Sequence, residues 1–292
     1  MAERIKRNEI LTAIFFAGAA GALTIVNLSA LSPYSLFLLA AGYLTYYAYV
    51  SIAEFTPVVR CDYIQSGEGA AGTIGLFIAV IVFGQHRYLP AAAAAIAVFV
   101  CLCVIHTALS PKSGEQAVFG IICQAAAAVI AAYLVGDNPA RLVQLQAAVM
   151  GLSHLSDSDL IIPACACAAG FTALALTHAL SPFLRLHALG GDFSHHPPVI
   201  DRAVTAGLFA GRSILLAATL LCIGWTSGIG LAVKRLTQGR LRAVIVISAI
   251  IATGQITVLI ARHAGTVTAL ASSFALSYAA FIIQILRRPE LR

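Results

Sequence analysis

Charge is what this chain has least of. Lys and Arg number 18 and Asp and Glu 12 among 292 residues, together 10%, whereas a soluble domain usually carries about 25%. So few charges cannot clothe a globular surface, which excludes water as the solvent for most of the chain. Other absences narrow the function. No Gly-x-x-x-x-Gly-Lys-Ser/Thr stretch occurs, which excludes ATP binding by a phosphate-cradling P-loop. Neither a His-Glu-x-x-His helix nor a paired aspartate motif of the prenyltransferase type is written here. The apolar–polar alternation of a membrane β-barrel is missing as well. The net charge of +6 comes from basic residues that form no dense stripe. They sit near the ends of apolar runs, where membrane topology puts them, and nucleic acid is excluded as a partner. Met1–Arg7 is a basic start with no small-residue cleavage site ahead of a soluble domain, so no cleavable signal peptide is read.

What is present is apolar sequence in long runs, 60% of all residues. In hydrocarbon every backbone polar group needs an internal partner, and a helix supplies it within one segment. The runs predict ten segments: Ile10–Leu28, Tyr34–Ala53, Gly69–Gly84, Ala91–Leu109, Ala117–Val135, Leu160–Leu180, Ala206–Ile223, Ile229–Leu236, Ala243–Ile260 and Val267–Leu286. The eighth is too short to cross alone. It reads as part of a broken segment around Gly224, Gly228 and Gly230, tolerated where it is buried in protein. The expected fold is an all-α polytopic membrane helix bundle of about ten segments, with residues 1–292 forming one transmembrane domain.

Alternating these segments from a cytoplasmic N-terminus puts fifteen of the 18 basic residues, Arg212 among them, on or beside the cytoplasmic face. Only Arg87, Arg141 and Arg262 fall elsewhere. That bias predicts a multi-pass inner-membrane protein with both termini in the cytoplasm. Six of the seven cysteines lie in apolar runs. Cys101/Cys103 and Cys165/Cys167 are two apart, and on a helix such residues point to different sides, so neither pair makes a metal face. They read as small, soft packing residues. Gly18, Gly21, Gly72 and Gly75 read as packing devices at three-residue spacing, and Tyr43, Tyr46, Tyr47 and Tyr49 as an interfacial aromatic belt.

Two connections are long enough to hold something, Gly136–Asp159 outside and Ser181–Arg202 inside. His195 and His196 in the inner one lack a third ligand at defined spacing, so no metal and no cofactor are expected. From the residues alone, that stretch is either a contact surface or a solvated connector in which Pro197-Pro198 stops a helix. Arg87 and Arg141 are either docking charges or helix-end charges reaching for the interface. Glu68 is either an ionisable group near the membrane interior or a cap favoured by a helix dipole.

Several stretches, taken in order, resemble the FecCD family of permeases, the type II ABC importers for ferric siderophores, haem and cobalamin. Ser66-Gly-Glu-Gly-Ala-Ala-Gly72 resembles the family's Ser-Ser-Gly-Ala-x-x-Gly turn. Gly136-Asp-Asn-Pro-Ala-Arg141 with Met150-Gly-Leu-Ser-His-Leu-Ser-Asp-Ser-Asp-Leu160 resembles its outer loop. Ala203-Val-Thr-Ala-Gly207 with Arg212 resembles the start of its seventh helix, and Gly228-Ile-Gly230 lies where the family has Gly-x-Ile-Gly-Phe. Gly265-Thr-Val-Thr-Ala-Leu270 resembles the turn before the last helix.

The resemblance implies a BtuC-like permease fold and a transport subunit rather than an enzyme. An iron–siderophore, haem or cobalamin-type chelate would be delivered by a periplasmic substrate-binding protein. Separate ATP-binding ABC subunits would hydrolyse ATP, and a second permease subunit, identical or not, would complete a pore in the lipid. It assigns Gly191, Asp192, His195, His196, Asp201 and Arg202 to coupling with the ATPase, Arg87 and Arg141 to docking of the binding protein, and Glu68, Gly265 and Thr268 to a gate or pore. A different class stays open beside it: a polytopic membrane enzyme or assembly factor acting on a lipid-soluble substrate.

Overall fold

The structure, a computed structural model, describes residues 2–28, 33–52, 55, 74–75, 97–102, 122, 126, 129, 160–189, 198–223, 241–265 and 268. Among these residues six extended helices stand out: α1 Ala2–Leu28, α2 Pro33–Ile52, α3 Ile161–Ala179, α4 Ser181–Leu189, α5 Pro198–Ile223 and α6 Arg242–Ala264. Prolines set several of their boundaries. α2 and α5 open on Pro33 and Pro198, where the fixed φ suits the first helical position and the missing N–H would have had no partner. Pro182 has the opposite effect. Continuing α3 through it would deprive the His178 carbonyl of its donor and drive the ring against that carbonyl. The chain turns by 75° there. The Leu180 N–H still donates to Leu176 O at 2.9 Å, and the Leu184 N–H to Leu180 O at 2.9 Å, so the break is confined to the elbow. α6 ends at Gly265, whose φ of +86° lies in the left-handed region that glycine adopts without a Cβ penalty.

α2 lies at the centre, flanked by α3 and α5, while α1 packs on α6 and α6 touches α2 along a smaller contact. The core joins Leu38, Leu39, Tyr46 and Tyr49 of α2 to Phe209, Leu216 and Leu220 of α5 and Val246 and Ile250 of α6. α3 approaches α2 closely at Gly170. A Cβ there would meet Leu44 Cγ at 3.0 Å and Thr45 N at 3.4 Å.

Among the described residues two stretches are long and apolar enough to cross a membrane, Glu9–Asn27 in α1 and Ala203–Cys222 in α5. They become three if the bent pair Pro163–Ala179 and Ser181–His187 is one span. The apolar helices Leu36–Ile52 and Ala243–Ile256 are shorter. The chain is a membrane-associated helical bundle with at least two apolar spans, and the expectation of about ten BtuC-like segments is corrected to this count among the described residues. The reason is physical. An apolar run marks what is hidden from water, not where a helix bends, stops or starts. The run Leu160–Leu180 is followed by a second helix at an angle where a connection was expected, and the helix expected from Ala206 begins at Pro198. The expected segments Gly69–Gly84, Ala91–Leu109, Ala117–Val135, Ile229–Leu236 and Val267–Leu286 lie wholly or largely outside the described residues.

The two clear spans differ in setting. Inside the chain 11% of the α1 stretch is buried, against 50% of the α5 stretch. α1 is therefore peripheral and α5 internal. Gly18 and Gly21 of α1, read as packing devices, face open space instead.

Candidate functional site: a polar seam along α5

A span immersed in hydrocarbon has no use for hydroxyls and guanidinium groups unless they meet partners inside the protein. α5 carries three such groups seven residues apart: Thr205, Arg212 and Thr219. Positions seven apart drift only about 20° around a straight helix, so the three share one face. Each meets a different polar group from a neighbouring helix.

Near the start of α5, Thr205 Oγ1 lies 3.1 Å from Nε2 of His187 on α4. The His187 ring is 6% exposed, and a buried polar ring persists where it is hydrogen-bonded. Arg212 comes next, nine residues past Ala203 and ten before Cys222, hence at the midpoint of the span. Its side chain is 3% exposed, and its guanidinium carbon sits 5.3 Å from the centroid of the Tyr49 ring. Tyr49 stacks on Tyr46 with centroids 6.0 Å apart and planes 19° apart. A cation over an aromatic face is attracted by the ring quadrupole, more strongly where water is absent. Further along, Thr219 Oγ1 donates either to Leu215 O at 2.7 Å or to Thr45 Oγ1 at 3.1 Å. Thr45 in turn donates to Ala41 O at 3.1 Å or Gly42 O at 3.0 Å. Thr45 pairs with Thr219 and Tyr49 with Arg212, so numbering rises along α2 as it falls along α5, and the helices run antiparallel.

A separate polar contact ties α1 to α6. Asn27 Nδ2 donates to Gln255 Oε1 at 2.7 Å and to Gln255 O at 3.1 Å, with both side chains buried. Tyr43 of α2 points its ring at Gly254 of α6. Among the described residues no group of three or more His, Cys, Asp and Glu is arranged to hold a metal ion. Cys165 is exposed while Cys167 packs against the core.

The expected site residues fall as follows. Gly191, Asp192, His195, His196, Arg87, Arg141 and Glu68 lie outside the described residues. Asp201 and Arg202 are in the first turn of α5, one turn before Thr205. Gly265 terminates α6, and Thr268 has helical backbone; both are exposed and stand apart from the seam. The seam itself was missed. With the apolar run starting at Ala206, Arg212 reads as a topogenic charge beside the cytoplasmic face. The spanning stretch runs from Ala203 to Cys222, with Arg212 at its midpoint. Tyr46 and Tyr49, expected in an interfacial belt, are each 1% exposed inside the bundle. The heptad spacing of Thr205, Arg212 and Thr219 was the available signal.

No family model matches the chain, and no curated protein matches it. Among solved structures it matches a chain of "PsaBC from Streptococcus pneumoniae in complex with Fab" with a TM-score of 0.57 and 14% identity, over 93% of this chain and 97% of that chain. The fold is similar to that of the PsaBC chain. At this identity the likeness concerns the fold alone, and it does not single out the FecCD family.

Proposed function

We propose that the chain is the membrane subunit of an ABC importer, a permease that passes its substrate across the membrane while separate subunits hydrolyse ATP. The observation that carries this reading is the fold likeness to PsaBC, which runs over 93% of the chain rather than over one helical hairpin. The ordered motifs from Ser66–Gly72 to Gly265–Leu270 support a chelate importer of FecCD type within that class. A buried polar seam on a spanning helix supports a pathway protein over an inert anchor.

In this reading an iron–siderophore, haem or cobalamin-type chelate comes from a periplasmic binding protein that docks on Arg87 and Arg141. Two permease subunits, identical or different, flank the path in the inner membrane, with termini in the cytoplasm. Residues Gly191, Asp192, His195, His196, Asp201 and Arg202 meet the ATPase, and Glu68, Gly265 and Thr268 belong to the gate. Purification in mild detergent tests the class directly, and an ATP-binding subunit is expected to co-purify in stoichiometric amount. A chain that purifies alone, or with enzymes of lipid metabolism, would overturn the reading. Deleting residues 190–200 is expected to abolish uptake while leaving membrane insertion intact.

A further inference from the structure

We infer that His187 and Thr205 form a latch through which α4 carries α5, so that a push on α4 reaches the centre of the bundle. The role rests on the transport reading, in which the sequence beside α4 meets the ATPase. The geometry of the latch stands by itself. Pro182 sets α4 at 75° to α3, so α4 is no longer held by the ladder of the helix before it. Among its described side chains the most buried are Leu184 and His187, three residues apart, at 4% and 6% exposed. Arg185 and Leu186 on the other side are exposed and offer the surface on which a partner would press. Leu184 fills space, but a packed leucine can slide. The His187 Nε2 to Thr205 Oγ1 contact at 3.1 Å is directional and fixes the register of α4 on α5.

Thr205 is also the first residue of the seam. Two turns on, Arg212 bears on the Tyr49 ring, and two turns beyond that Thr219 meets Thr45. A displacement entering at His187 therefore reaches α2 through contacts on one face of one stiff helix. His187 and Thr205 are positioning residues in this scheme and touch no substrate.

Spin labels at Arg185→Cys on α4 and Ile214→Cys on α5, both exposed positions, test the latch in a background with the seven native cysteines replaced. With the full chain in nanodiscs, one narrow distance distribution is expected. Thr205→Val and His187→Leu keep the volume but lose the hydrogen bond, and should shift the latched-to-unlatched ratio by about five-fold. Thr205→Ser and His187→Gln, whose amide reaches the place of Nε2, should restore the narrow distribution. Identical distributions in all variants, or Ser and Gln variants no better than Val and Leu, would overturn the latch.

A second arm uses the complex with its co-purified ATPase, trapped by ATP and vanadate, with labels at Ile214→Cys and Phe37→Cys reporting α5 against α2. Trapping should change that distance in the wild type and not in Thr205→Val; a full change in Thr205→Val would overturn the transmitting role. If no ATPase co-purifies, the transport reading falls and the transmitting role with it. The first arm still decides the latch.

Discussion

Replacing Tyr49 by Leu should loosen the hold on Arg212 more than replacing it by Phe. The guanidinium lies 5.3 Å from the ring centroid, inside the roughly 6 Å reach of a cation–π contact. Arg212 is 3% and Tyr49 1% exposed, so water screens neither partner, and the contact belongs at the desolvated end of the range, about 2 kcal/mol. That is about thirty-fold in an equilibrium constant. The pair term is isolated by measuring what Arg212→Met costs in three backgrounds: wild type, Tyr49→Phe and Tyr49→Leu. Reversible unfolding in mixed micelles, driven by a denaturing detergent, supplies the free energies. Packing lost with the ring appears in both arms of the cycle and cancels.

The cost of Arg212→Met should be closer to wild type in Tyr49→Phe than in Tyr49→Leu, because phenylalanine keeps the aromatic face. In Tyr49→Leu it should fall by about 1–2 kcal/mol, because no face is left to lose. The absolute sign of Arg212→Met does not enter, since removing a buried charge also relieves a desolvation penalty. Costs that agree within about 0.5 kcal/mol across all three backgrounds would refute a cation–π role and leave the two residues as mere neighbours.

Three further substitutions follow from the packing. Asn27→Leu should cost about 1–3 kcal/mol by stranding the buried Gln255 amide, and adding Gln255→Leu should recover part of it; a double variant as unstable as the summed singles would sink the clamp, read by thermal unfolding in detergent. Gly265→Ala should cost about 1 kcal/mol at a φ of +86°, with Gly265→Asn closer to wild type because asparagine tolerates the left-handed region. Gly170→Val should destabilise by about 1–3 kcal/mol and Gly170→Ala by less, because the Leu44 side chain 3.0 Å away can give where the Thr45 backbone cannot; equal melting temperatures for the two would argue against a tight α2–α3 contact.

Membrane character was legible because it is compositional, and no tertiary fact can hide a charged fraction of 10%. Single segments were legible where nothing interrupts them. The run Leu160–Leu180 matches α3 at Ile161–Ala179, and Ile10–Leu28 matches the Glu9–Asn27 span. Angles were not legible. Ser181-Pro182 announces that a helix cannot continue, but not that another starts there at 75°. Arg212 lies inside the apolar run that starts at Ala206 as well, but near its start a charge reads as topogenic; only the span Ala203–Cys222 puts it at the midpoint. The partners of the seam were beyond reach for another reason: Tyr49, Thr45 and His187 are far from Arg212, Thr219 and Thr205 in sequence, and only packing brings them together.

The two kinds of polar contact also differ in what it costs to break them. Asn27 and Gln255 join α1 to α6 through an amide pair that is buried on both sides. Parting those helices leaves the Nδ2 donors without Gln255, at the full price of an unsatisfied buried amide. The hydroxyl contacts of the seam carry their own alternatives. When Thr219 leaves Thr45 its proton still has Leu215 O at 2.7 Å, and Thr45 still has Ala41 O and Gly42 O. Such bonding back to the helix's own carbonyls means that separation creates no orphan donor. Arg212, held over the Tyr49 ring, resists such a separation. α1 and α6 are therefore joined by a pair that is costly to part, whereas the hydroxyl contacts between α5 and α2 can open and re-form at low cost. If the bundle moves, α5 against α2 is where the chemistry of these hydroxyl contacts permits it.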